Sequence, residues 1–250
     1  MSSRPLRLEI CVDSAEGAVA AQVGGADRIE LCAALVEGGT TPSFGLLRTT
    51  LAAVGIDVAA MIRPRGGDFH YSARELEIMR LDIEVARKAG AHGVVLGVLC
   101  PDGTVDAERV AQLVAAARPM SVTFHRAFDV TRDPIEALET LIALGCERVL
   151  TSGQEATAPE GLPLLRKLVD HARGRIVVMP GCGIRANNLA HVRAATGAHE
   201  LHASAWEPHP SAMIHRNERV SMGSARGLPE YERKRTSTES VRALVAALRG

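Results

Sequence analysis

Eight short segments of strand length alternate with eight of helix length, and this alternation restricts the fold more than any other feature of the chain. The strand-like segments are residues 8–13, 28–32, 58–64, 93–99, 121–125, 148–152, 175–180 and 200–204. The helix-like segments are residues 14–24, 46–54, 72–89, 106–117, 133–144, 159–172, 184–196 and 238–248. Strict alternation implies a parallel sheet with helical cover. Eight such units in 250 residues predict one closed (β/α)8 TIM barrel spanning residues 1–250. No GxGxxG follows the first strand, which weighs against an open dinucleotide-binding sheet. Helix starts are marked by Ser14, by Ser72 with Glu75 at capping-box spacing, and by Asp133 before Pro134. The segment 206–237 breaks the pattern. It carries three prolines and many charges, and reads as a lid, an edge cover or a contact in a homo-oligomer.

Residues along a barrel strand point alternately to the axis and to the helices. The helix-facing set must be apolar, so the inward set can be read off. The first strand, LEICVD, sends Glu9 and Cys11 inward. The second, RIELC, sends Glu30 and Cys32 inward. By the same rule Met61 and Arg63, Thr123 and His125, and His202 and Ser204 face the axis. The strands at 93–99, 148–152 and 175–180 are apolar on both parities and stay unassigned. Barrel interiors are ordinarily layered with Val, Ile and Leu. Burying unpaired charges instead costs several kcal/mol each. The polar ring is therefore either an ion-paired floor of Glu9, Glu30 and Arg63, or a pocket in use at the C-terminal ends of the strands, where barrel loops carry chemistry.

Composition narrows the partners. Lys plus Arg and Asp plus Glu both number 29, so no net charge favours nucleic acid or an anionic membrane. Only 3% of residues are aromatic, too few for base-stacking platforms. No apolar run approaches the roughly 18 residues of a membrane span. Five cysteines without a CxxC pair argue against a disulfide framework or a zinc ribbon and fit a reducing compartment, most simply the cytoplasm.

Six motifs then converge. LEICVDS, GGADRIELC, MIRPRGGDF, TFHRAFD, LTSG and RNxxVxMG occur in this order, and together they resemble the CutC proteins, named for copper homeostasis. The resemblance covers nearly the whole chain. It implies a TIM barrel, a cytoplasmic location and an association with Cu(I), with Cys11 and Cys32 as the corresponding candidate ligands. Cu(I) is soft and prefers thiolates. Two inward cysteines on neighbouring strands at matching height would bracket such an ion. One departure is visible: the family's PGGGI turn has Cys182 here in place of its middle glycine.

The same ring also suits catalysis on a small anionic substrate, phosphorylated or carboxylated. Glu9 or Glu30 near an apolar wall would act as acid or base, and His125 would shuttle protons. Arg63, with Arg65, would hold a carboxylate or phosphate. Ser152 at the sixth strand, Gly181 and Gly183 before a helix start expected at residue 184, and His202 and Ser204 at the eighth strand complete the expected anion site. Copper binding and barrel catalysis both remain open at this level.

Overall fold

The computed structural model describes residues 5–220 and 230–250. The end of the RNxxVxMG motif, at residues 221–223, lies outside them. The eight barrel strands are β1 (Arg7–Val12), β2 (Arg28–Leu31), β3 (Asp57–Met61), β4 (Gly93–Leu96), β5 (Ser121–Phe124), β6 (Arg148–Thr151), β7 (Val177–Pro180) and β8 (Glu200–Ala203). All form one sheet of parallel pairs in the order β7-β6-β5-β4-β3-β2-β1-β8. The outermost pair, β7 and β8, also lie against each other and close the barrel. Gly181 makes this approach feasible: a Cβ there would sit 2.4 Å from Leu150 Cδ1 and 3.2 Å from His202 Cβ.

The covering helices are α1 (Ala15–Gly24), α2 (Phe44–Ala53), α3 (Ala73–Ala89), α4 (Ala107–Ala117), α5 (Pro134–Ala143), α6 (Leu162–Ala172), α7 (Leu189–Thr196) and α8 (Thr238–Arg249). Their starts follow local chemistry. Ser14, Ser43, Asp106 and Asp133 accept backbone N–H groups of the first turn, and Ser72 and Glu75 complete a reciprocal capping box. Two helix starts lie three or more residues later than expected. Helix α6 begins at Leu162 rather than 159, after a turn through Gly161. Helix α7 begins at Leu189 rather than 184, because a turn that donates Arg185 N–H to Asn188 Oδ1 occupies the intervening residues.

The expected irregular stretch contains an antiparallel hairpin, β9 (Trp206–Pro210) with β10 (Glu232–Thr236). The two prolines of β9 are tolerated because a two-stranded ribbon consists of edges. Glu207 stands opposite Arg235 in register, and the Arg235 guanidinium lies 3.0 Å from His209 Nε2.

The inward and outward faces fall as the alternation requires. Leu8, Ile10, Ile29, Leu31, Val58, Ala60, Val122 and Leu201 belong to the large apolar layer between strands and helices. Cys11, Cys32, Ala59, Met61 and Val95 form a separate, small cluster inside the barrel. The unassigned strands resolve with Val95, Leu150 and Met179 on the inner side.

Candidate metal centre

The lowest tier of the interior is an ion-paired floor, but its cation is not the expected one. Arg28 donates from Nε to Glu9 Oε2 and from Nη2 to Glu200 Oε2 at 2.7 Å. Arg148 donates to the same Glu200 oxygen at 2.8 Å. These four side chains are buried or nearly so. Arg63 takes no part, which corrects the Glu9–Glu30–Arg63 floor. It stands two residues beyond the end of β3, above the carboxylates, and its guanidinium turns to loop carbonyls instead: Glu37 O at 2.6 Å, Gly39 O at 2.9 Å and Gly67 O at 2.9 Å.

The next tier holds the thiols. Glu9, fixed below by Arg28, places its other oxygen 2.8 Å from His202 Nδ1. The far nitrogen of His202 lies 3.9 Å from Glu30 Oε2. The Cys32 thiol donates to that oxygen at 3.5 Å, and the Cys11 and Cys32 sulfurs are 3.9 Å apart. Ligand-capable atoms of Cys11, Glu30 and Cys32 all lie within 4.8 Å of one another, as do those of Glu9, Glu30 and His202. Glu30 Oε1 is buried without a partner. Cys32 packs under Gly39, whose φ of +92° favours glycine and whose absent Cβ would lie 3.0 Å from Cys32 Sγ.

Electrostatics divides these groups into charged and neutral. Burial pushes the Glu9 carboxyl up, but Arg28 and His202 outweigh it and hold it well below the usual range. Burial pulls His202 down, and Glu30, Cys11 and Glu9 together raise it well above its ordinary value. Burial, then the charge on Cys11, pushes Glu30 well up. The Cys32 hydrogen bond brings Cys11 down to about 6 against the effect of burial, with His202 helping. The same contact with Cys11, together with burial, pushes Cys32 well up. The arrangement supplies one ready thiolate beside a second thiol and a protonated carboxyl.

Above this tier opens a cavity of about 660 Å³, lined by Cys11, Glu30, Arg63, His125, Gly183, His202 and Ser204 among the expected residues. Ser204 is exposed at its rim. His125 is buried, and burial with the nearby Arg63 charge pulls it down to about 3. Three expected residues fall elsewhere. Arg65 turns outward to Glu75 at 2.6 Å and Asp68 at 3.1 Å. Ser152 is buried in a loop network with Asp129 and Arg126. Gly181 serves the β7–β8 closure described above, and no helix begins directly after Gly183. The expected helix-terminus anion site after the seventh strand is therefore not formed. Sequence reasoning missed Arg28 and Glu200, although each shares the parity of a residue it did assign inward: Glu30 and His202.

The CutC family model matches residues 6–207. The chain belongs to the CutC family. Its relatives include the human copper homeostasis protein cutC homolog, 54% identical over 239 residues, covering 96% of this chain and 88% of that one. A CutC family protein from Chromobacterium violaceum is 54% identical over 241 residues, covering 96% of this chain and 97% of its own. The crystal structure of a CutC protein from Streptococcus agalactiae superposes with a TM-score of 0.76 at 35% identity, covering 79% of this chain and 98% of that one. Thiamine phosphate pyrophosphorylase from Pyrococcus furiosus, at 16% identity and TM-score 0.59, covers 97% of this chain and 95% of its own, and shares the fold alone. In this CutC chain Cys182 adopts a φ of +74°, a conformation natural to glycine, and its thiol donates to Ala156 O at 3.3 Å. No helix among the described residues is long and apolar enough to cross a membrane.

Proposed function

We propose that this CutC protein binds Cu(I) in the cytoplasm through Cys11 and Cys32, with Glu30, whose carboxyl group gives up its proton on binding, as a third donor. The observation that carries this reading is the pair of buried sulfurs 3.9 Å apart beside an unpartnered carboxylate oxygen. With metal–sulfur bonds of about 2.3 Å, that spacing gives an S–metal–S angle of about 116°, suited to three donors rather than two in line. Thiolate ligands select a soft monovalent ion. The strand register argues for a metal over a disulfide. Cys11 pairs with Glu30, so Cys32 sits two residues further along, just past the end of β2, rather than at matching height. A strand spacing of about 4.8 Å and a rise of about 3.3 Å per residue put the two Cα atoms about 8 Å apart. That exceeds the roughly 7 Å limit for a disulfide without backbone movement.

Anaerobic Cu(I) titration against a competing chromophoric chelator tests the assignment. The wild type should bind one equivalent, and Cys11→Ser and Cys32→Ser should each weaken binding by more than the roughly 10–100-fold that loss of a contact supporting a ligand costs. X-ray absorption should report two sulfurs and one light atom. Cys146, buried and pushed up to about 12 chiefly by burial, should be dispensable. Wild-type affinity in the Cys11→Ser/Cys32→Ser protein would remove both residues from the copper account.

A further inference from the structure

We propose that Arg63 and His125 form a subsite for the oxyanion end, a carboxylate or a phosphate monoester, of a small molecule seated in the barrel mouth. The inference does not rest on the copper reading: among the described residues His125 belongs to no cluster able to hold a metal, and the Arg63 guanidinium has no acceptor to offer one.

Arg63 is only 6% exposed, yet its hydrogen bonds run to three backbone carbonyls and to no carboxylate among the described residues. Its Nε makes no hydrogen bond of ordinary geometry, and the Tyr71 hydroxyl that interacts with the guanidinium supplies no countercharge. A buried guanidinium without a countercharge is costly, and charge-assisted bonds to an oxyanion are the direct compensation. Arg28 shows the contrast within the same barrel, since it sits between two carboxylates.

His125 presents a second unused donor. Its Nδ1 accepts the Ala127 N–H at 3.1 Å, so the ring proton of the neutral imidazole resides on Nε2. That Nε2 is buried and has no partner. Burial and the Arg63 charge keep the ring neutral, which makes it a fixed hydrogen-bond donor rather than a proton shuttle. The two side chains share one wall. Arg63 Cζ lies 5.2 Å from the Phe69 ring centroid, and the His125 ring lies 4.9 Å from it. Both line the 660 Å³ cavity, a volume typical of small-molecule sites.

The rim sets the ligand's remaining character. Arg185 and Lys234 stand there with Glu37 and Glu207, so positive and negative groups are interspersed. Such a rim disfavours a polyanion and suits a ligand with one anionic end and a polar, uncharged body.

The test uses the full-length, reduced, copper-free protein. Pyruvate and glycerol phosphate serve as the carboxylate and phosphate arms, and inorganic triphosphate as the polyanion. Thermal shift gives affinity, and long-range histidine ¹H–¹⁵N spectra follow the His125 ring. At least one of the first two probes should raise Tm saturably and move the His125 Nε2 resonance, with triphosphate weaker. Arg63→Lys should weaken that binding about tenfold through loss of the planar fork. His125→Asn keeps an acceptor for the Ala127 N–H and removes the Nε2 donor, so it should weaken binding about fivefold at nearly unchanged unliganded Tm. The proposal is overturned if neither pyruvate nor glycerol phosphate shifts Tm, if both variants bind as the wild type does, or if His125 is an imidazolium or carries its proton on Nδ1 at pH 6.

Discussion

Replacing Arg28 by Met probes the floor on which the thiol tier rests. The guanidinium is buried and joins Glu9 to Glu200 across β1, β2 and β8. Methionine fills much of the same volume against Met179, whose sulfur lies 3.5 Å from Arg28 Nη2. The loss is therefore mainly electrostatic. Breaking one side of a buried pair costs about 3–5 kcal/mol, because the surviving charge stays buried without compensation. Glu200 keeps Arg148 and Glu9 keeps His202, which puts the cost at the lower end, about 3 kcal/mol. Unfolding entropy of about 2.1 cal/mol/K per residue, taken over the chain, converts this into a Tm drop of about 6 °C. Differential scanning calorimetry reads it directly. Adding Glu9→Gln to Arg28→Met removes the stranded carboxylate, so the double variant should recover part of the loss. A single variant within about 1 °C of wild type, or a double variant whose losses simply add, would show that the pair does not hold the floor.

Two further outcomes follow from the same structure. His125 in the native state takes up a proton only near pH 3, whereas an exposed imidazole does so near 6.5. The unfolded chain thus binds protons first as pH falls, so this residue's contribution is complete above about 6.5 and drains away between there and about 3; urea unfolding at stepped pH should show a shallower acid slope for His125→Asn. Cys182→Gly should raise stability by about 0.5–1 kcal/mol, since relief of a left-handed backbone worth about 1–2 kcal/mol exceeds the loss of one weak thiol hydrogen bond; a lower urea midpoint than wild type would contradict the strain argument.

The barrel itself was legible because apolar faces declare their parity. Ile10, Leu31 and Leu201 had to meet helices, and Glu9, Glu30 and His202 were thereby turned inward. Capping chemistry fixed several helix starts locally, as at Ser72 with Glu75 and Asp133 with Pro134. The partners of the inward charges were less legible. Arg28 and Glu200 meet only when the sheet closes, and 172 residues separate them. Nothing near either residue announces the other. Arg63 misled for a related reason. It shares the parity of Met61, but β3 ends at Met61, so the next turn of chain lets its guanidinium reach the loops. The glycines after β7 looked like an anion cradle because their composition matches one; the Arg185–Asn188 turn that separates them from α7 depends on side-chain bonding a composition cannot show.

The inward side chains are ordered along the strands, and that order separates stability from ligand chemistry. On β2 they run Arg28, Glu30 and then Cys32; on β1, Glu9 and then Cys11; on β8, Glu200, His202 and then Ser204. Register sets Glu9 beside both Arg28 and His202, and Cys11 beside Glu30. From the floor toward the C-terminal ends, ion-paired groups therefore give way to groups with free coordinating capacity. The gradient has a physical basis. The bottom of a barrel is sealed and must neutralise its charges internally, whereas the top opens to loops and a cavity. Glu9 links the two regimes, bound below by Arg28 and above by His202. A floor locked in this way fixes the His202 ring, and through it the charge that favours the Cys11 thiolate. On the copper reading proposed above, these ion pairs would orient the ligand side chains from behind.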